Sequence, residues 1–363
     1  MNPEISAISE EHDVYRFTLS KINVSLANAF RRTILNDIPT VVFEEDKIDI
    51  IRNTGRLHNE ILKHRLSCIP IHTKDLQQLP GNYILELDVK NETDAILYLT
   101  TADFRIKNKE NGNYVTESET RVIFPANAQT QDHIIFSRLA PKIGDTIPAE
   151  ELSLTADFSV KTVAYSSAYN VVSKCSYGNT PDLETASEAW RKIEVQMRSE
   201  ELSSTEIDFQ KRNFYLTDAQ RYFKENSFDF VIQTVGVFEN REILKKAALV
   251  LQSKFHEFIQ SIESDIVPII MAETASENMY DITLENEDYT MGKVIEYFLY
   301  EKYYIGDDKV LNFCGFKKLH PHNTSSFIRL GYLEPTEKNM VRQHLKTACV
   351  DAEDIFTKIY KMF

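Results

Sequence analysis

One strand–turn–helix is written twice in this chain, 265 positions apart. The first copy reads Phe17-Thr18-Leu19, a short polar turn, then Ser25-Leu26-Ala27-Asn28-Ala29-Phe30-Arg31-Arg32-Thr33-Ile34. The second reads Ile282-Thr283-Leu284, a turn of equal length, then Thr290-Met291-Gly292-Lys293-Val294-Ile295-Glu296-Tyr297-Phe298-Leu299. One offset without a gap aligns Leu19 with Leu284, Ser25 with Thr290, Leu26 with Met291, Phe30 with Ile295 and Ile34 with Leu299. Strand–turn–helix is a common unit, but a gapless match of type at this many positions argues against coincidence. Two copies of one half-core in one polypeptide point to a dimer made covalent.

Each copy follows from local physics. Tyr15, Phe17 and Leu19 alternate as a half-buried strand requires, as do Tyr280, Ile282 and Leu284. Ser25 and Thr290 stand where an N-cap hydroxyl can accept from an orphan helix N–H. Leu26, Phe30, Thr33 and Ile34 recur at helical spacing, and so do Met291, Val294, Ile295, Phe298 and Leu299.

The chain has 363 residues, 42% of them hydrophobic, enough for two or three domains with real cores. No stretch has the roughly 18 uncharged apolar residues of a membrane span, and the polar, acidic segment Met1 to Asp13 is not expected to be a signal peptide. Cys68, Cys175, Cys314 and Cys349 form no C-x-x-C pair, which suits a reducing compartment and argues against a zinc ribbon or an iron–sulfur site. The net charge of −14 makes a direct grip on nucleic-acid phosphates a poor expectation.

Along the chain, residues 14–50 read as strand, helix and an extended stretch, with Pro39 ending the helix neighbourhood. A short amphipathic helix is expected near Leu57 to Leu66, closed by Pro70. From Tyr83 to about Tyr165 the pattern is mostly β, with Val122-Ile123-Phe124 among the short apolar runs read as strands. Residues 176–226 are polar and carry one helical stripe, Leu183, Ala186, Trp190, Ile193 and Met197, which reads as a helical insertion. Phe228, Phe230 and Ile232 alternate as a strand before a long helix from about Arg241, striped by Leu244, Ala248, Leu251, Phe255, Phe258 and Ile262. After a linker at 265–278 come the second copy, strands near Val310–Lys318 and Ser325–Leu333, and a terminal helix. That helix is striped by Val341, Leu345, Ala348, Ala352, Ile355, Ile359 and Met362. Both stripes step by four and three, the spacing of helices that pack against each other; packing of each helix on its own sheet is the alternative, and both can hold.

The segment from Leu26 to Ile71 resembles the signature of the α-like subunits of cellular RNA polymerases. The matching text is Leu26-Ala27-Asn28-Ala29-Phe30-Arg31-Arg32, Asp37-Ile38-Pro39-Thr40, Leu57-His58-Asn59-Glu60-Ile61-Leu62 and His64-Arg65-Leu66-Ser67-Cys68-Ile69-Pro70-Ile71. The C-terminal part resembles the small L-like partner of that family, on Asn286-Glu287-Asp288-Tyr289-Thr290-Met291-Gly292 and Cys314-Gly315-Phe316-Lys317-Lys318-Leu319-His320-Pro321. The fused arrangement is similar to that in polymerases of large DNA viruses.

The resemblance implies an α+β fold: a dimerisation domain in two copies, D-like and L-like, forming an intramolecular pseudo-dimer with an inserted, mostly β domain. The boundaries expected are 1–50 plus 226–264 for the D-like domain and 51–225 for the inserted domain, with its helical insertion at about 176–225. The linker takes 265–278 and the L-like domain 279–363. The implied role is an assembly platform without a catalytic site, cofactor or metal, docking the second-largest and largest polymerase subunits and a small zinc-bearing one. It implies no sequence-specific DNA contact, no membrane, and one copy per enzyme. Arg31, Arg32, His64 and Arg65 are the implied contacts to the second-largest subunit. Leu244, Ala248, Leu251, Phe255 and Phe258 would meet Val341, Leu345, Ala348, Ala352, Ile355 and Ile359 across the D–L interface. The location implied is intracellular and reducing, in host cytoplasm or virus factory, with nucleus and virion as alternatives. Two departures stand out. Ala164 to Val172 lacks the family's basic loop residues, and the cysteine cluster of some D-like subunits is absent.

Other chemistry finds little support. There is no G-x-x-x-x-G-K-[ST] loop and no Asp-x-Asp-x-Asp triad. Glu44-Glu45-Asp46 reads as a solvated loop or strand edge. His64, Cys68 and His72 have a metal-like step, but Pro70 interrupts the helix, so the three would not share a face. A free-standing binding protein or decoy that engages polymerase subunits is the alternative function; an enzyme in its own right is disfavoured.

Overall fold

The computed structural model describes residues 1–144, 146–272 and 278–363. In chain order the elements are β1 (Glu4–Glu11), β2 (Val14–Ser20), α1 (Val24–Asn36), β3 (Thr40–Asn53), α2 (Asn59–Ser67), β4 (Tyr83–Lys90), β5 (Leu97–Thr100) and β6 (Arg105–Asn108). Next come α3 (Glu117–Ile123), β7 (Ile135–Leu139), β8 (Glu151–Lys161), β9 (Val172–Pro181), α4 (Leu183–Ser199), α5 (Ser204–Leu216), β10 (Phe223–Thr234) and α6 (Asn240–Glu263). The chain ends with β11 (Ile269–Met271), β12 (Met279–Leu284), α7 (Tyr289–Tyr300), β13 (Leu311–Lys317), β14 (Ser326–Tyr332) and α8 (Lys338–Met362). No helix among the described residues is long and apolar enough to cross a membrane.

These elements divide into two compact units. The first holds Met1–Thr33, Lys174–Ile232 and Ala248–Phe363; the second holds Ile34–Ser173 and Gln233–Ala247. The segment 174–225, expected inside the inserted β-rich domain, falls in the first unit instead, because β9 pairs beside β10 in that unit's sheet.

The first unit carries two four-stranded sheets with one strand order, β1-β2-β10-β9 and β11-β12-β14-β13. The repeat therefore runs further than its side-chain pattern. β1 and β11 start at 4 and 269, β2 and β12 at 14 and 279, and α1 and α7 at 24 and 289, all at the same offset. β1 was outside the sequence expectation because its residues are almost all exposed, so no apolar alternation marks it. The turn gives it away instead: His12 and Asp13 both have positive φ, 48° and 63°, as a two-residue hairpin of type I′ needs. β11 lies within the expected linker, whose residues 273–277 are outside the described residues. The helical insertion, α4 and α5, occupies the β9–β10 connection, whereas the corresponding β13–β14 connection holds no named helix.

Both helix starts are capped two residues earlier than the sequence indicates. Asn23 Oδ1 accepts from Ser25 N at 2.8 Å, and Asp288 Oδ1 accepts from Thr290 N at 2.9 Å. Amide and carboxylate oxygens thus take the role expected of the Ser25 and Thr290 hydroxyls, and Asn23 and Asp288 keep the same offset. The buried faces behave as expected: Phe17, Leu19, Leu26, Phe30 and Ile34 in the first copy, and Ile282, Leu284, Met291, Ile295 and Leu299 in the second, are all buried. Phe17 stacks on Phe230 at 5.1 Å, and the ring of Phe363, beyond the end of α8, stands edge-on to Phe17 at 5.4 Å.

The second unit is built on the sheet β3-β8-β4-β6, with the ribbon β5-β7 and the helices α2 and α3. Its core includes Phe43, Leu66, Leu85, Phe104, Phe136, Leu154 and Phe158. Val122 and Ile123, expected in a strand, close helix α3, and Phe124 is its C-cap. A reciprocal capping box between Thr116 and Glu119 nucleates that helix and overrides the β preference of Val and Ile. Glu44, expected to be solvated, is buried and pairs with Lys47 at 2.7 Å and Lys161 at 3.3 Å.

Candidate subunit interfaces

Helices α6 and α8 meet in the first unit along an antiparallel seam. His256 Nδ1 lies 3.2 Å from Glu353 Oε1, and Glu263 Oε1 lies 2.6 Å from Lys346 Nζ. Seven residues forward on α6 are thus seven back on α8. Arg342 continues the series to Asp265. Phe255 stacks on Phe356, with ring centroids 5.8 Å apart and planes at 16°. Exposed ion pairs such as these contribute little, so the buried apolar face holds the seam.

That face contains most of the residues read from the sequence. Ala248, Leu251, Phe255, Val341, Leu345, Ala348, Ala352, Ile355 and Ile359 are buried; Leu244 is also buried, in the second unit. Phe258 is only half-buried, and Ile259 takes the inward position one residue on. Met362 is exposed. Cys349 and Phe356, absent from the expected stripe, are fully buried. A strict four-and-three step follows one narrow line, but α8 buries a wider arc.

The two arginines of α1 have different surroundings. Arg32 Nε donates to Thr290 Oγ1 at 2.8 Å, and its Nη2 donates to Asp288 Oδ2 at 2.5 Å. Arg32, expected to face another subunit, is therefore engaged by the cap of α7 within its own chain. Burial alone would raise the Asp288 carboxyl, but the Thr290 backbone N–H and the Arg32 guanidinium outweigh it and hold the pKa below the ordinary aspartate value. Arg31 Nε and Nη2 both donate to Asn28 Oδ1, at 3.2 and 3.0 Å. Arg31 also lies close enough to Cys175 to oppose the effect of burial, which nonetheless pushes that thiol up to about 12.

His64 and Arg65 belong to the second unit. Arg65 Nε donates to Phe136 O at 2.7 Å and Nη2 to Ile135 O at 2.9 Å, so its guanidinium ties α2 to β7. His64 is exposed, with Nε2 4.0 Å from Cys68 Sγ. His72 is turned toward the Gly236 backbone, and burial lowers its pKa. Among the described residues no group of three His, Cys, Asp or Glu side chains is placed to hold a metal ion. A cleft of about 650 Å³ in the second unit is lined by His72, Lys74, Tyr83, Val122 and Gly236, with Lys74 paired to Glu242 at 3.3 Å.

Residues 16–255 match the family described as the RNA polymerase Rpb3/Rpb11 dimerisation domain. The DNA-directed RNA polymerase subunit Rpo3 of Pyrococcus furiosus is 35% identical over 100 residues, 26% of this chain and 38% of that protein. Rpo3 of Archaeoglobus fulgidus is 22% identical over 278 residues, covering 72% of this chain and 99% of its own length. Human RPAC1, of DNA-directed RNA polymerases I and III, is 37% identical over 71 residues, 20% of each chain. The chain thus spans 38% of the length of the Pyrococcus relative. The family match ends before β11, so the second copy rests on the internal repeat.

Proposed function

We propose, since this chain belongs to the RNA polymerase Rpb3/Rpb11 dimerisation-domain family, that it is a platform subunit of a multisubunit DNA-directed RNA polymerase. In this reading residues 1–264 and 279–363 are a D-like and an L-like protein joined covalently, each completing the other. The observation that carries it is the α6–α8 seam, in which the long helix that follows β10 and the helix that ends the second copy bury one continuous apolar face around Phe255 and Phe356. The doubled strand order and the doubled helix caps support the same pairing. The chain forms and breaks no bonds; catalytic carboxylates and nucleotide sites belong to other subunits. It docks the second-largest subunit, helps to recruit the largest, joins a small zinc-bearing subunit, and enters the enzyme as one intracellular copy. The fused form suits a viral transcription enzyme.

Affinity purification of the tagged chain from its native source tests this. Two very large polypeptides and template-dependent RNA synthesis should accompany it. Recovery of the chain with host polymerase subunits but no activity would support the decoy instead, and recovery alone would contradict both.

A further inference from the structure

The cleft beside His72 lies wholly within the second unit. Its walls are the stretch that follows α2, the start of β4, helix α3 and the turn between β10 and α6. These walls are tied together. His72 N donates to Ile123 O at 3.0 Å, Tyr83 N donates to Leu79 O at 3.1 Å, and the His72 ring bonds the Gly236 backbone. The cleft is therefore formed before anything enters it, and its volume of about 650 Å³ falls within the roughly 300–1,000 Å³ of ligand clefts. Its floor is apolar: Leu79 and Val237 are buried, with Tyr83, Val115 and Ile123 half-buried around them. Val122 lines the cleft yet is 70% exposed, so α3 turns a branched apolar side chain to solvent there. The charged side chains of the lining are Lys74, Glu119 and Glu239. Lys74 Nζ lies nearer to Glu242, at 3.3 Å, than to Glu239, at 3.8 Å, which leaves Glu239 largely exposed. Hydrogen bonds from Thr116 hold Glu119 below the usual glutamate range, and both reach Oε2, so Oε1 can take a further cation. Burial lowers His72, so the imidazole adds no positive charge at neutral pH. An apolar floor thus stands beneath an acidic mouth, in a chain of net charge −14.

We infer that this cleft binds a peptide segment of a partner protein in which one aromatic or large aliphatic side chain stands between lysines or arginines. The apolar side chain enters against Leu79 and Val237, and the flanking cations meet Glu119 and Glu239. Burial of the anchor supplies most of the affinity, and the carboxylates supply the choice of partner. An acidic segment or a nucleic-acid phosphate would meet like charge at the mouth. The inference is independent of the platform reading, since it needs only residues of the second unit.

Methyl-labelling the Ile, Leu and Val side chains of the full chain and titrating it with end-blocked pentapeptides reads site and affinity together by NMR. Lys-Lys-Phe-Lys-Lys should shift the Leu79, Val122, Ile123 and Val237 signals to saturation, and added salt should weaken it. Glu-Glu-Phe-Glu-Glu and Lys-Lys-Ser-Lys-Lys should each bind about tenfold or more weakly, the first through its charge and the second through its missing anchor. Val122→Lys, which sets a cation at the mouth, should weaken the lysine peptide several-fold. Glu119→Gln combined with Glu239→Gln should narrow the preference for the lysine peptide over the glutamate peptide. Glutamine at 119 keeps the capping box and both positions are exposed, so the thermal midpoint should hold. Absence of these shifts at millimolar Lys-Lys-Phe-Lys-Lys overturns the inference, as does equal binding of the lysine and glutamate peptides. Affinity unchanged in both the Val122→Lys and the double-glutamine chains would place the peptide elsewhere and overturn it too.

Discussion

Phe255 of α6 and Phe356 of α8 lie almost parallel, 5.8 Å apart, with no exposure to solvent. They come from positions about a hundred residues apart, and their contact joins the helix that follows β10 to the helix that ends the second copy. Truncating either ring to alanine should cost about 3–5 kcal/mol, the range for a fully buried Phe. The double variant should cost less than the sum, because each ring loses the same partner. Urea denaturation of the four chains measures this; strict additivity would place the rings in separate cores.

Gly292 predicts a second steric dependence. A Cβ there would lie 2.0 Å from the Phe316 ring, so the ring packs directly on the backbone of α7. The equivalent first-copy residue is Ala27, so the helix itself tolerates alanine. Gly292→Ala should gain helix propensity yet lose about 1–2 kcal/mol net through displacement of Phe316. Adding Phe316→Ala should make the alanine at 292 neutral or favourable, as read from thermal midpoints.

The Arg32–Asp288 pair predicts a pH dependence. The folded-state pKa of Asp288 is depressed, so its contribution is present above the unfolded aspartate value of about 3.9 and fades as pH falls through the folded value. Wild type should lose more stability than Asp288→Asn between neutral pH and about pH 3, and the two curves should converge at the acid end. Parallel curves would show that the carboxylate is not charged against Arg32.

Thiol reactivity separates the four cysteines. Cys68 is exposed, whereas Cys175 and Cys349 are buried and Cys314 is half-buried. Burial pushes the Cys175 and Cys314 thiols up to about 12, and Cys349 higher still. A thiol reagent at pH 8 should therefore modify one cysteine rapidly in the native chain and the other three on denaturation. Cys68→Ser should remove the fast phase.

How far the sequence speaks for itself depends on whether an element's cause is local. The offset from Leu19 to Leu284 and the alternation of Tyr15, Phe17 and Leu19 were legible because burial on one sheet face imposes a period on residue type. β1 was not legible, since an exposed edge strand carries no such period. Helix α3 was misread from Val122-Ile123-Phe124 because the apolar run outweighed the cap at Thr116. At the seam, the line of Leu251, Ala348 and Ile355 could be read, but the partner of Phe255 could not. Phe356 sits one position off the step, and only the packing of two helices reveals how wide the buried arc is. The division between Arg31 and Arg32 was invisible, because it depends on Asp288 arriving from more than 250 positions away.

The claim that the two ends of the chain form an intramolecular pair is tested most directly by separating them. Residues 1–272 and 278–363, co-expressed as two chains with a tag on one, should purify together in a one-to-one complex. Phe255→Asp in the longer chain should abolish that recovery. Independent elution of the unaltered pieces, each folded by circular dichroism, would contradict the account.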